Sequence, residues 1–202
     1  MAKRIYRMAK RAESRDETRA RIVDAAIALH EEVGPKDTTI SAIAERAGVQ
    51  RLTVYRHFPD DETLFQACSS GWMALHPPPD PEGVVGGGRK ACEYGLAALF
   101  AYYSATQGMW TSVLRDAKQV AALRQPVDDY HQYLDRYAMA LGRALSSAED
   151  RAVALTLRHA VAFPTWVSLG ERGLADGEKA ALVMDWLACL SAPSSSVPSR
   201  GM

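Results

Sequence analysis

Apolar positions recur every three or four residues along nearly the whole chain, and no segment holds the two-residue alternation of a strand. A first helix is expected from about Asp16 to Val33, with Ile22, Ala25, Ala26, Leu29 and Val33 as its buried stripe and Gly34-Pro35 as its stop. The second is short. Ile40, Ile43, Ala44 and Ala47 share one face, Thr39 stands where an orphan amide needs a cap, and Gly48 can take the left-handed conformation of a sharp reversal. Val49 would plug that junction. A third helix, Arg51 to about Phe58, buries Val54 and Phe58 and leaves Gln50, Arg51, Thr53, Tyr55, Arg56 and His57 facing outward.

Asp60 and Asp61 supply a cap and first-turn negative charge for a fourth helix, whose stripe runs through Leu64, Phe65, Cys68, Trp72 and Leu75 until Pro77-Pro78-Pro79 stops it. A Pro/Gly linker follows to Gly88; it lacks the lysine and hydroxyl of a phosphate loop. Beyond it, helices are expected at Lys90 to Ala105, Trp110 to Leu123, Val127 to Leu145, Glu149 to Glu171 and Asp176 to Leu190. The chain is therefore expected to be all-α. Its organisation reads as a basic leader at 1–15, a helix-turn-helix domain at 16–60, a helical body at 61–190 and a Ser/Pro-rich disordered tail at 191–202.

Charge changes the picture of the first third. Formal net charge is zero, but up to Phe58 there are twelve Lys and Arg against eight Asp and Glu, leaving twelve against sixteen in the remainder. The outward face of the third helix carries donors and no carboxylate, which suits a polyanion offered to a major groove. Arg51 and Gln50 can reach base edges, Arg favouring guanine and Gln adenine, while Leu52 and Thr53 can meet a thymine methyl. The leader, with Lys3, Arg4, Arg7, Lys10, Arg11 and Arg15 against Glu13, has two open readings: a solvated disordered segment, or an arm that tracks phosphates or enters a minor groove beside the site read by the third helix.

The run from Ile22-Val23-Asp24-Ala25-Ala26 through Thr38-Thr39-Ile40, Ala47-Gly48-Val49, Thr53-Val54-Tyr55-Arg56-His57-Phe58 and Asp61-Glu62-Thr63-Leu64 resembles the DNA-binding unit of the TetR family of transcriptional regulators. His30 departs from the aromatic residue usual there, and Leu52 from a small one. The resemblance implies that Thr39, Tyr55 and His57 contact phosphates. It also implies a C-terminal ligand-binding and dimerisation domain, binding as a homodimer to a pseudo-palindromic operator, repression, and release by a small molecule.

The body is rich in aromatics. Tyr130, Tyr133 and Tyr137 repeat on one helical face, and with Trp72, Tyr103 and Trp110 they could line an apolar pocket for a hydrophobic or aromatic effector; equally, they could fill a helical core. Val161, Trp166, Leu169, Leu182, Trp186 and Leu190 make broad apolar surfaces on the last helices, the expected dimer interface.

Other functions find little support. The five histidines form no metal spacing, no serine or cysteine stands in a nucleophile setting, and no cofactor motif is present, so neither an enzyme nor a metalloprotein is expected. The alternatives kept are a regulator controlled by a protein partner, or by none, and, further off, an all-helical enzyme. Three widely spaced cysteines, no membrane-length apolar run and no secretory leader point to the cytoplasm.

Overall fold

A computed structural model of the chain describes residues 2–84, 86–147 and 149–191, and among them every regular element is helical. The helices are α1 (Ala2–Glu32), α2 (Ile40–Ala47), α3 (Arg51–His57), α4 (Asp61–Leu75), α5 (Arg89–Asp116), α6 (Arg124–Ala144), α7 (Arg151–Ala160), α8 (Phe163–Gly170) and α9 (Asp176–Ser191). Two 3₁₀ turns, Pro81–Gly83 and Ala121–Leu123, precede α5 and α6. The tail expected at 191–202 lies, past the last residue of α9, outside the described residues.

The residues form two compact units. One contains the residues up to Pro78 together with Thr106–His131; the other contains Pro79–Ala105 with the residues from Gln132 onward.

In the first unit, Ile22, Ala26 and Leu29 of α1 meet Ile43, Ala44 and Ala47 of α2, with Val54, Phe58, Leu64 and Cys68 closing the core. Alanines at the α1–α2 contact let the two backbones approach closely. The turn between α2 and α3 forms as its residues dictate. Gly48 sits at φ 66°, ψ 39°, and the Val49 N–H reaches back to the Ala44 carbonyl at 2.9 Å, satisfying an orphan acceptor. Arg21 of α1 donates to the Ala47 carbonyl at 3.2 Å, and the Arg19 guanidinium lies 4.3 Å from the centroid of the Phe58 ring. The turn between α1 and α2 is held by Asp116, a buried carboxylate at the end of α5 that accepts from the Lys36 N–H at 3.1 Å and from Arg115 at 2.8 Å. His30 is 5% exposed and stacks on Phe65 at 4.9 Å; burial pushes its pKa down to about 4, so it is a neutral core ring.

In the second unit, Leu96, Leu99, Phe100 and Tyr103 of α5, Tyr137 and Leu141 of α6, Val153 and Leu157 of α7, and Val183 and Met184 of α9 are buried. Gly95 permits the α5–α6 approach: a Cβ there would stand 2.7 Å from Leu141 Cδ2, and the Tyr137 hydroxyl donates to the Gly95 carbonyl at 2.8 Å.

Several boundaries differ from expectation. α1 is continuous from Ala2, so the residues read as a leader are helical. α5 runs unbroken through Thr106–Met109, where two helices were expected. The helix expected over 149–171 is instead α7 and α8, bent by 65° at Val161-Ala162, with Pro164 in the first turn of α8. Val33, assigned to the buried stripe, is 45% exposed because α1 ends at Glu32. Cys68 and Cys92 are buried, each thiol pushed up to about 12 by burial, whereas Cys189 is exposed. No single helix among the described residues is long and apolar enough to cross a membrane.

Candidate nucleic-acid interface

The expected DNA-reading residues fall on two adjoining elements, the start of α2 and the outer side of α3. Thr39, in extended conformation, accepts the Ala42 N–H at 3.1 Å and so caps α2 with its hydroxyl oxygen, leaving the hydroxyl proton to point outward. Gln50 is the residue before α3, exposed and making no side-chain cap. Along α3, Val54 is fully buried and anchors the helix, while Arg51, Leu52, Tyr55 and Arg56 are exposed. Leu52 is 67% exposed. Among the described residues, nothing in the chain hydrogen-bonds the side chains of Arg51 or Tyr55, so these donors are available to a ligand.

Thr53 and His57 are only half-exposed, because they turn toward α1. With Arg56 they line a cleft whose other wall is Arg11, Ser14, Arg15 and Thr18 of α1. Partial burial, followed by the charges of Arg15, Arg19 and Arg56, holds the His57 imidazole below its ordinary pKa, against a smaller opposing pull from Asp16. Only the smaller part of that depression, the part due to the arginines, registers the positive charge around the cleft. Ser14 and Thr18 were not among the residues singled out from the sequence. The signal was present: positions 11, 14, 15 and 18 continue backward the three-and-four spacing that reaches Ile22.

Another concavity of about 720 Å³ lies within the first unit, where His30, Lys36, Ile43, Glu62 and Phe65 face Gln119 and Arg124. No group of three His, Cys, Asp or Glu among the described residues is placed to hold a metal.

The aromatic residues expected to line one pocket are shared between the two units. Trp72, Trp110 and Tyr130 belong to the first unit, Trp110 standing edge-on to Trp72 at 5.8 Å and stacked on Tyr130 at 3.8 Å. The Trp72 indole N–H donates to Glu31 at 3.0 Å. Tyr103, Tyr133 and Tyr137 belong to the second, and their hydroxyls donate to the carbonyls of Val161 at 2.6 Å, Pro79 at 2.8 Å and Gly95 at 2.8 Å. The six apolar residues expected at a dimer interface also divide. Val161 and Trp166 are buried within their own unit, Trp166 between the Phe163 ring, the Lys179 ammonium and Asp176, which accepts its N–H at 2.8 Å. Both are thereby removed from any external face. Leu169, Leu182 and Trp186 are half-buried, and Leu190 is 40% exposed.

Comparison with known proteins agrees with this geometry. The sequence model described as "Bacterial regulatory proteins, tetR family" matches residues 22–68. The HTH-type transcriptional regulator SrpR of Pseudomonas putida is 43% identical over 58 residues, which is 29% of this chain and 27% of that relative, so the aligned stretch covers little more than a quarter of its length. Among solved structures, a tetR-family transcriptional regulator from Streptomyces coelicolor superposes over 87% of this chain and 80% of its own, with a TM-score of 0.60 and 19% identity. The transcriptional regulator FadR from Bacillus subtilis, solved in complex with stearoyl-CoA, covers 83% of this chain and 96% of its own with a TM-score of 0.52 and 18% identity. At these identities the structural likeness speaks to the fold. Residues 22–68 thus match the tetR family of bacterial regulatory proteins, and the described helices share the fold of solved regulators of that family.

Proposed function

We propose that the chain is a cytoplasmic DNA-binding transcriptional repressor, acting as a homodimer on a pseudo-palindromic operator and released by a small hydrophobic or aromatic molecule. The observation that carries the reading is the outer face of α3, where Arg51, Leu52, Tyr55 and Arg56 are exposed together without a carboxylate. Arg51 and Gln50 read base edges, Leu52 meets a thymine methyl, and Thr39, Tyr55 and His57 hold phosphates. Two copies related by a two-fold axis would place their α3 helices in successive major grooves about 34–36 Å apart. The apolar surface left by Leu169, Leu182, Trp186 and Leu190 supports self-association.

Release by a small molecule is supported by a FadR of the same fold having been solved with stearoyl-CoA. The cleft between His30, Lys36 and Gln119 is one place where a ligand would bear directly on α2 and α4. A second reading, control by a protein partner or by nothing, is favoured by the hydroxyls of Tyr103, Tyr133 and Tyr137, each of which is already engaged by a backbone carbonyl.

Fluorescence anisotropy against duplexes from the region upstream of the coding sequence, with and without apolar compounds, tests both halves. Sequence-selective binding that a compound abolishes is the expected result. Equal affinity for scrambled DNA removes the regulator reading, and selective binding that no compound alters leaves the partner-controlled one.

A further inference from the structure

We propose that the exposed part of α1 and the adjoining side of α3 form a second DNA-binding element, a cleft that grips the phosphodiester backbone beside the bases met by α3. The inference rests on α3 being the recognition helix. It differs from an arm in a minor groove, because the cleft is built from two helices.

Three observations converge. The cleft walls, Arg11, Ser14, Arg15 and Thr18 opposite Thr53, Arg56 and His57, contain three guanidiniums and no carboxylate. The Thr18 hydroxyl is spent on the Ser14 carbonyl at 2.8 Å, so the donors left for an anion are the three arginines, Ser14 and the imidazole. Planar, forked guanidiniums suit phosphate oxygens better than a point charge does.

The second observation is what α1 lacks. From Lys10 onward Ile22 is its first buried residue, and Lys10 to Glu17 are all exposed. From Lys10 to Arg21 the helix extends roughly 18 Å at about 1.5 Å per residue without burying an apolar stripe. Core packing therefore does not account for it.

The third is repulsion. Arg11 and Arg15 stand one turn apart on one helix, an unfavourable spacing for like charges, and both line the cleft with Arg56. A backbone phosphate seated between them would convert that repulsion into attraction. Released counterions would add a salt-dependent gain that is the same for every sequence.

Anisotropy titrations of the full chain between 50 and 200 mM potassium chloride, on a duplex it selects and on a scrambled one, test this. Arg11→Gln with Arg15→Gln should lower affinity for both duplexes and flatten the salt slope by about two for each protomer bound. From 50 to 200 mM, the variant would then lose about tenfold less affinity per protomer than the wild type. Its preference for the selected duplex should survive. Lys118→Gln, an exposed cation outside the cleft, should leave the slope unchanged. An unaltered slope in the double variant, or an equal flattening by Lys118→Gln, overturns the cleft while leaving α3 as the reader. Loss of preference in Arg51→Ala with the slope retained would separate the two roles. A wild type without preference removes both.

Discussion

Tyr55 and Tyr137 are the same side chain placed at opposite extremes. On α3 the Tyr55 ring is 46% exposed and its hydroxyl is free of the rest of the described chain. In the second unit the Tyr137 ring is 1% exposed and its hydroxyl is fixed to the Gly95 carbonyl, as those of Tyr103 and Tyr133 are to Val161 and Pro79. Among the described residues no buried side-chain polar atom lacks a hydrogen-bond partner. Polar groups here are thus either satisfied internally or pointed at solvent together, and only the second kind is available to a ligand. Tyrosine content alone marks neither.

The widest separation between the two should come from Tyr137→Ala. Truncating a buried aromatic leaves a cavity beside Gly95 and Leu141, a loss of about 3–5 kcal/mol of stability by denaturant unfolding. DNA affinity measured well below the melting temperature should hold. Next in size is the pH response of His30. Its folded pKa of about 4 lies below the unfolded value near 6.5, so the neutral ring is favoured by the fold. The contribution is whole above the unfolded value. As pH falls through 6.5 the unfolded chain takes up a proton that the folded one refuses until about 4, so stability drops across that window by on the order of 3 kcal/mol. Melting curves from pH 7 to 4 should show it, and His30→Phe, which keeps the stack on Phe65, should flatten it. A flat wild-type profile would mean that His30 is not the buried neutral ring described.

Arg51→Ala should invert the pattern. Losing a bidentate base contact costs about 1–3 kcal/mol in binding and relaxes preference at one position, while an exposed helix-surface change moves stability by less than about 0.5 kcal/mol. Should Arg51→Ala destabilise as Tyr137→Ala does, or bind the selected duplex as tightly as the wild type, the division between a satisfied body and an available face would fail.

The face was legible in the sequence because it is local. Thr39, Gly48, Val54 and Phe58 specify two short helices and their turn within twenty residues, and nothing distant overrides them. Where expectation missed, the deciding contact was remote or the punctuation was misread. α1 continues back to Ala2 because Lys, Arg, Ala, Met and Glu offer no breaker, whereas charge density alone left a disordered segment and an arm both open. α5 passes Gly108 unbroken since Tyr102, Thr106 and Met109 keep a buried stripe, which offsets the roughly 1 kcal/mol a mid-helix glycine costs. Pro164 did mark the α7–α8 bend. The division of the aromatics into two sets had no sequence signal, because helical spacing says which residues share a side of one helix and not which unit that side joins. Val161 and Trp166 show the same limit: apolar character fits an interface and a core equally.

The smallest effect distinguishes structure from recognition at a single position. Thr39 caps α2 by accepting the Ala42 N–H, and the same hydroxyl has a proton to give to a phosphate. Thr39→Ala removes both and should cost about 1 kcal/mol of stability together with affinity. Thr39→Ser keeps both and should match the wild type. Thr39→Asp separates them: a carboxylate caps a helix at least as well, aided by the dipole at the start of α2, but it has no proton to donate and repels the backbone. Stability should be retained while DNA affinity falls below that of Thr39→Ala, with a steeper loss at low salt, where the repulsion is least screened. If Thr39→Asp instead binds like the wild type, no phosphate passes near the start of α2, and the docking that places α3 in a major groove beside it would have to be redrawn.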